Sequence, residues 1–189
     1  MKKITELTET RWRTIHLLDA YGNRERDTEE YIAKRPVKSI TPGPRFGHFI
    51  IDLIAFQIII YIVEYSFQML INLSNFNVAL NLTIGLFNSI IILLLYPTLY
   101  AICENKWQKT PGKYLTKSIV IDEYGNKPDL RTIILRSLIR IVPFEPFTCT
   151  GDKYNYSNGW HDRWSNTWVV SEEELEAIKK LQLEQSENI

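Results

Sequence analysis

The residue of this sequence best suited to do chemistry is an acid inside an apolar segment. Asp52 lies in residues 49–73, where most of the other residues are Ile, Leu, Phe, Val, Met or Tyr. About 20 apolar residues are enough for a helix to cross the hydrocarbon core of a membrane. An ionised carboxylate there costs about 2.5–3.5 kcal/mol even on insertion scales. Asp52 therefore needs compensation, either as a site for a cation or a proton or as one half of a structural ion pair.

Arg45, which begins the same predicted helix, is a poor partner for Asp52. The two residues share a helix face, but seven positions at a rise of 1.5 Å separate their Cα atoms by roughly 10 Å. Because helical side chains lean toward the N-terminus, we expect Arg45 to anchor the helix at the headgroups. The partner of Asp52 is then expected from another segment, with Arg136, Arg140 and Arg163 as candidates.

Two further carboxylates are candidates for ion binding or gating. Glu64, with Gln57 and Gln68 on the same helix stripe, lines a polar path or else is protonated or reaches the far interface, and we favour the second reading. Asp162 follows His161 in a charged turn. It completes the site of Asp52 or simply holds the turn through hydrogen bonds to the backbone, and the sequence leaves these two roles equally open.

The elements that position these residues begin with two apolar segments. Residues 49–73 and 78–103 are joined by a short turn rich in Asn, and between residues 50 and 103 the only charged residues are Asp52 and Glu64. Lysines and arginines flank the pair of segments but are missing from the turn. This pattern predicts a two-span transmembrane helical hairpin with both termini in the cytoplasm. A small-and-polar stripe along the second span predicts a contact with the first helix. Its residues are Asn81, Gly85, Asn88, Ile92 and Tyr96.

The regions on either side of the spans differ in character. Residues 1–43 predict a cytoplasmic arm, with a helix over 27–35 because acids come first and bases last. Residues 171–189 predict a cytoplasmic helix that begins at a capping box of Ser171 and Glu174.

Between the second span and the final helix, the sequence predicts two short strands and a basic helix. Residues 118–123 alternate in the manner of a strand and precede a turn, and the end of a second strand, 168–170, is expected to pair with 119–121. Residues 130–142 are too short to span, so we expect an interfacial amphipathic helix. Its bases are Arg131, Arg136 and Arg140. The predicted fold class is thus an all-α membrane protein with a small cytoplasmic β-hairpin.

Composition argues against several classes of protein. A formal net charge of zero and a pI of about 6.8 argue against a nucleic-acid-binding protein. Cys103 and Cys149 form no CxxC pattern, so we expect neither a zinc site nor a disulfide framework. No nucleophile-and-base pair and no metal-ligand spacing is visible, so we expect no enzyme and no cofactor.

Taken in order, these motifs resemble the RDD family of bacterial and archaeal membrane proteins over residues 44–170. The family is named for one arginine and two aspartates. The arginine and the first aspartate match Arg45 and Asp52, and the second aspartate matches Asp162 in a His-Asp-Arg turn. The other matching positions are Thr110, Gly112, Lys113, Asp122, Gly125, Leu135, Arg136 and Arg140.

The resemblance implies an integral protein of the cell inner (cytoplasmic) membrane that transports a small ligand or cation, with Asp52 as the intramembrane site. The alternative is a non-transporting scaffold or regulatory module that acts through its cytoplasmic ends. The expected partners are the lipid bilayer and either a homo-oligomer or another membrane protein. A homo-oligomer or a re-entrant segment would be needed for transport, because two helices cannot enclose a pathway.

Overall fold

The computed structural model describes residues 2–18, 24–73, 78–149 and 158–187, and it describes their side chains except at 18, 71–92 and 146. Single turns of 3-10 helix lie at Ile4–Glu6 and Glu145–Cys149. The strands are β1 (Thr8–Leu18), β2 (Arg24–Lys34), β3 (Ser118–Ile121) and β4 (Trp168–Ser171). The helices are α1 (Pro42–Leu73), α2 (Val78–Trp107), α3 (Pro111–Leu115), α4 (Leu130–Ile139), α5 (Trp160–Trp164) and α6 (Glu172–Glu187).

Two long helices form the apolar part of the molecule. α1 has 32 residues and α2 has 30. Within the described part of the chain, one helix, over Pro42–Leu70, is long and apolar enough to cross a membrane. Ile54, Ile58 and Ile62 are exposed on it, as lipid contact would require. The polar stripe expected on the second span lies mostly at residues 81–92, where side chains are outside the described residues, so the two-span hairpin stays a prediction.

The N-terminal region is a β-hairpin, and the helix predicted over 27–35 is wrong. β1 and β2 pair antiparallel from Thr8 with Lys34 to Leu18 with Arg24. The order of charges suits a helix, but the complementary strand outweighs it, because cross-strand pairs stabilise a hairpin. Among them, Arg13 donates from Nη2 to Glu29 at 2.7 Å. The chain therefore mixes helices with small sheets, which corrects the expected all-α class.

The predicted pairing of the two later strands is confirmed. β3 and β4 run antiparallel, with Ile119 opposite Val170 and Ile121 opposite Trp168. A bridge from Ser39 to Val170 attaches the N-terminal region to this sheet. The buried core on this side joins both ends of the chain and consists of Ile4, Leu7, Val37, Ile121, Val170 and Ile178.

One of the two hydrogen bonds of the predicted capping box at the start of the last helix is confirmed. The backbone N–H of Glu174 donates to Ser171 Oγ at 3.1 Å. In a full capping box the Glu174 carboxylate would accept from the Ser171 N–H. It instead accepts from Arg35 at 2.7 and 2.8 Å, so this cap also ties α6 to the N-terminal region.

α4 turns its basic side toward the interior of the protein. An interfacial amphipathic helix usually has its apolar side in the membrane and its bases at the water. In the structure Arg136 is completely buried, whereas the apolar side is exposed at Leu130, Ile134, Leu135 and Leu138. Buried carboxylates attract the basic side inward, and the apolar side is left exposed. Interfacial placement stays a prediction.

Candidate functional site

Charged side chains from several elements of this fold converge on one place. The first turns of α1, the end of α2, and α3, α4 and α5 meet around a cavity of about 330 Å³. The bases that line this cavity are Arg45, Lys113, Arg136 and Arg140. The acids that line it are Asp52 and Glu145.

Asp162 is the centre of the first group of ion pairs. Its side chain is fully buried, and its two oxygens accept from Nη1 of Arg45 and Nη1 of Arg136. Burial alone would raise the pKa of Asp162, but Arg136 and then Arg45 hold that pKa well below its ordinary value. Asp162 is therefore an ionised anchor for two arginines, and it is more than a residue that holds a turn.

Glu104, near the end of α2, is the centre of the second group, and the sequence analysis missed it. It accepts from Nζ of Lys113, from Nε of Arg136 at 2.9 Å and from Nη2 of Arg140 at 3.3 Å. Burial, followed by the neighbouring arginines, lowers the pKa of Lys113 to about 8 even though Glu104 opposes this shift. Glu104 was overlooked because a charge just past an apolar segment usually marks the membrane boundary. The charge network comprises Arg45, Glu104, Lys113, Arg136, Arg140 and Asp162.

Asp52 has partners of a different kind. Thr110 Oγ1 donates to Asp52 Oδ2 at 2.6 Å, and the backbone N–H of Gly112 donates to Oδ1 at 2.8 Å. No arginine within the described residues pairs with Asp52. The expectation of an arginine partner is wrong because the unpaired N–H groups at the start of a helix, here α3, already supply donors for a carboxylate.

Gly112 allows this contact. A Cβ at this position would lie 2.6 Å from the backbone O of His48 and 2.7 Å from its Cα. α3 approaches the backbone of α1 closely enough for Asp52 to reach it only because residue 112 has no side chain. Gly112, one of the positions that match the family, therefore has a packing role.

Arg45 does not anchor α1 at the headgroups, which corrects that expectation. It is 7% exposed, and its Nε donates to the carbonyl of Ile40 at 3.1 Å. The pairing of Arg45 and Asp162 bridges 117 positions of sequence. Three other predicted site residues, Glu64, Asp162 and Arg163, do not line the cavity, and Arg163 is exposed.

Three guanidinium groups keep donors that nothing in the described part of the chain accepts. Arg45 Nη2, Arg136 Nη2 and Arg140 Nε are buried and have no hydrogen-bond partner, and all three residues line the cavity. Arg140 also stacks over the ring of Tyr100 at 4.3 Å. Buried polar groups normally find partners, and leaving one unpaired costs about 1–3 kcal/mol. The cavity is therefore suited to a ligand that brings acceptor atoms.

One side of the cavity carries a carboxylate and an imidazole. Glu145 Oε1 accepts from His161 Nδ1. Burial lowers the pKa of His161 to about 4, and Arg140 adds to this effect, so the imidazole is neutral at pH 7. Burial opposes ionisation of Glu145, but His161 and Arg140 together lower its pKa below the ordinary value. Glu145, like Glu104, was not among the predicted site residues.

Comparison with known proteins identifies a family. No curated protein matches the chain, and neither does any solved structure. A family model does match, over residues 40–170, which is more than half of the 189 residues. That stretch holds every helix and strand that contributes to the cavity, and the family is one of membrane proteins. On this evidence the chain belongs to the RDD family.

Proposed function

We propose that this protein binds a small anion in the arginine-lined cavity and carries it across the cytoplasmic membrane. The observation that carries the proposal is the set of three buried guanidinium donors without partners. They are Arg45 Nη2, Arg136 Nη2 and Arg140 Nε. A carboxylate, phosphate or sulfate group offers the acceptors that they lack, and arginine forms its strongest hydrogen bonds with such groups.

The size and lining of the cavity limit the ligand. A volume of about 330 Å³ holds roughly ten non-hydrogen atoms, since a water molecule occupies about 30 Å³ in the liquid. Phe46, Phe49 and Phe147 form apolar walls beside the charged groups. Small-molecule sites commonly combine apolar walls with a few convergent polar groups. A small organic acid or an inorganic oxyanion meets both conditions.

A cation at Asp52 is the rival form of the proposal, and the local contacts argue against it. Each oxygen of Asp52 already accepts a short hydrogen bond, from Thr110 or from Gly112. Transport of either kind would require a homo-oligomer or a re-entrant segment. Of the two we propose the homo-oligomer, with both termini of each chain in the cytoplasm.

The test is binding and flux of defined anions with the purified full chain. Inorganic phosphate, acetate and succinate are titrated separately by calorimetry in nanodiscs, and uptake of the labelled anion that binds is then followed in proteoliposomes. Arg140→Lys keeps the charge but removes the Nε donor. We therefore expect the affinity for the anion to fall by at least about tenfold, as for the loss of one hydrogen bond to a charged group. Arg131→Lys is the matched control, because Arg131 is an exposed residue of the same helix, and it should bind like the wild type.

Three results would overturn the proposal. The first is that none of the three anions binds. The second is that Arg140→Lys binds the active anion as well as Arg131→Lys does. The third is flux of Na⁺ or K⁺ that Asp52→Asn abolishes while the variant still inserts, which would establish the cation form instead.

The alternative of a regulatory module has one observation in its favour. Hairpin β1–β2 leaves Trp12 and Ile32 exposed, and exposed apolar residues can serve as contacts for a partner protein. Removing residues 8–34 should abolish co-purification of that partner if the module reading holds. The same deletion should leave anion binding unchanged if the cavity is the functional part.

A further inference from the structure

We propose that Glu145, Cys149 and His161 bind a divalent metal ion of the zinc class at the edge of the cavity. A carboxylate oxygen of Glu145, Sγ of Cys149 and a ring nitrogen of His161 all lie within 4.8 Å of one another. Glu145 and Cys149 stand at the two ends of one 3-10 turn, and His161 lies in α5. This site is distinct from the anion proposal and does not depend on it.

A glycine makes the convergence of these three side chains possible. A Cβ at Gly159 would lie 2.6 Å from Sγ of Cys149, 3.1 Å from Oε1 of Glu145 and 3.2 Å from Cε1 of His161. Real Cβ atoms do not approach other atoms to 2.6 Å, so any larger residue would push the thiol away. The backbone before α5 therefore leaves room for the three donors to meet.

The imidazole already has the support that metal-binding histidines usually have. Nδ1 of His161 faces Glu145, and its Nε2 lies 3.3 Å from Oδ1 of Asp162. A histidine that ligates a metal through one nitrogen commonly donates its other N–H to a carboxylate. Asp162 is itself held by Arg45 and Arg136, so the orientation of the ring is fixed by the charge network.

The donor set selects the class of ion. Sulfur, nitrogen and oxygen donors together suit Zn²⁺, which also accepts Co²⁺ in its place, and do not suit Mg²⁺ or Ca²⁺. Three protein ligands leave a further coordination position, and Glu145, Cys149 and His161 all line the cavity. On binding, the Cys149 thiol gives its proton to solvent. His161 ligates through Nδ1, and its single proton moves from Nδ1 to Nε2, where it faces Asp162. One proton is released for each ion bound.

The sequence did not predict this site, because its ligands follow no standard spacing. Three positions separate Glu145 from Cys149, and eleven separate Cys149 from His161. We expected no zinc site because the two cysteines form no CxxC pattern and no metal-ligand spacing is visible in the sequence.

The test uses the two cysteines of the chain as a matched pair. Purified full-length protein is stripped with chelator and titrated with Co²⁺ alone and with Zn²⁺ alone. We expect one ion per chain and the thiolate-to-cobalt charge-transfer band. Cys149→Ser should remove the band and weaken zinc binding by at least about tenfold. Cys103→Ser, which alters the other free cysteine, should keep both.

The outcomes are decisive in both directions. Absence of the cobalt band and of zinc binding in the wild type would overturn the site, as would equal behaviour of the two serine variants. Cys149→Ser is nearly isosteric, so we expect this variant to fold. Its thermal transition without metal checks that expectation. If that transition is lost, Glu145→Gln replaces it, and zinc affinity equal to that of the wild type in this variant would overturn the site.

Discussion

Two buried aspartates of this protein, Asp52 and Asp162, are stabilised in opposite ways. Asp52 accepts from a hydroxyl and a backbone amide on α3, and each of these donors is uncharged. Asp162 accepts from two arginines that come from α1 and α4. The first carboxylate is compensated by local dipoles, whereas the second is compensated by full charges.

The difference shows where this fold keeps binding capacity. Around Asp52 the donors and acceptors are matched, so this region fastens α3 to α1. Around Asp162 and Glu104 the arginines have more donors than the acids accept, and the three arginines with unpaired donors line the cavity. The matched region is therefore a structural joint, and the surplus region is the one equipped to bind a ligand.

The largest loss of stability is expected from removing the charge of Asp162. Asp162→Asn removes the charge that compensates Arg45 and Arg136, and removing one partner of a buried ion pair costs about 3–5 kcal/mol. We expect the free energy of unfolding, measured by denaturant titration in detergent, to fall by that amount. Arg163→Gln alters an exposed neighbour in the same helix and should change it by less than about 0.5 kcal/mol. Equal stability of the two variants would contradict the role given to Asp162.

A smaller effect is expected from separating α3 from α1. The Cβ of Gly112→Ala would overlap the backbone of His48, which cannot move aside as a side chain can. Overpacking of this kind costs about 1–3 kcal/mol. Gly47→Ala is the matched control, because it adds the same methyl group beside His48 and meets nothing within 4 Å. Thermal transitions should fall for the first variant and stay level or rise for the second.

The smallest effect is expected from neutralising the matched aspartate. In Asp52→Asn, the amide oxygen can still accept from Gly112 and the Thr110 hydroxyl can turn to accept from the new NH₂ group. We expect a loss of about 1 kcal/mol in the free energy of unfolding, the scale of one hydrogen bond. Anion affinity, measured by calorimetry, should not fall, because the change removes a negative charge from the lining of the cavity. A loss of stability as large as that of Asp162→Asn would show that the two aspartates do not differ.

Much of the framework was predictable because it depends on near neighbours. The apolar run of α1, the β3–β4 pairing and the Ser171 cap each follow from residues within one element or from its alternation pattern. The family motifs were also visible as ordered short patterns. The hairpin β1–β2 was not, because its charge order fits a helix and only the facing strand, with pairs such as Arg13 and Glu29, decides otherwise.

The sequence by itself determined that Arg45, Asp52 and Asp162 are the charged residues to explain. Only the tertiary structure decided which of them meet. Arg45 pairs with Asp162 across 117 positions and Arg136 with Glu104 across 32, and α4 turns its bases inward toward those acids. Such pairings have no signature in local spacing, because charge attraction in a poorly solvated interior depends on distance in space. The same reason hides Glu145, Cys149 and His161, whose convergence exists only after α5 has folded against the turn before it.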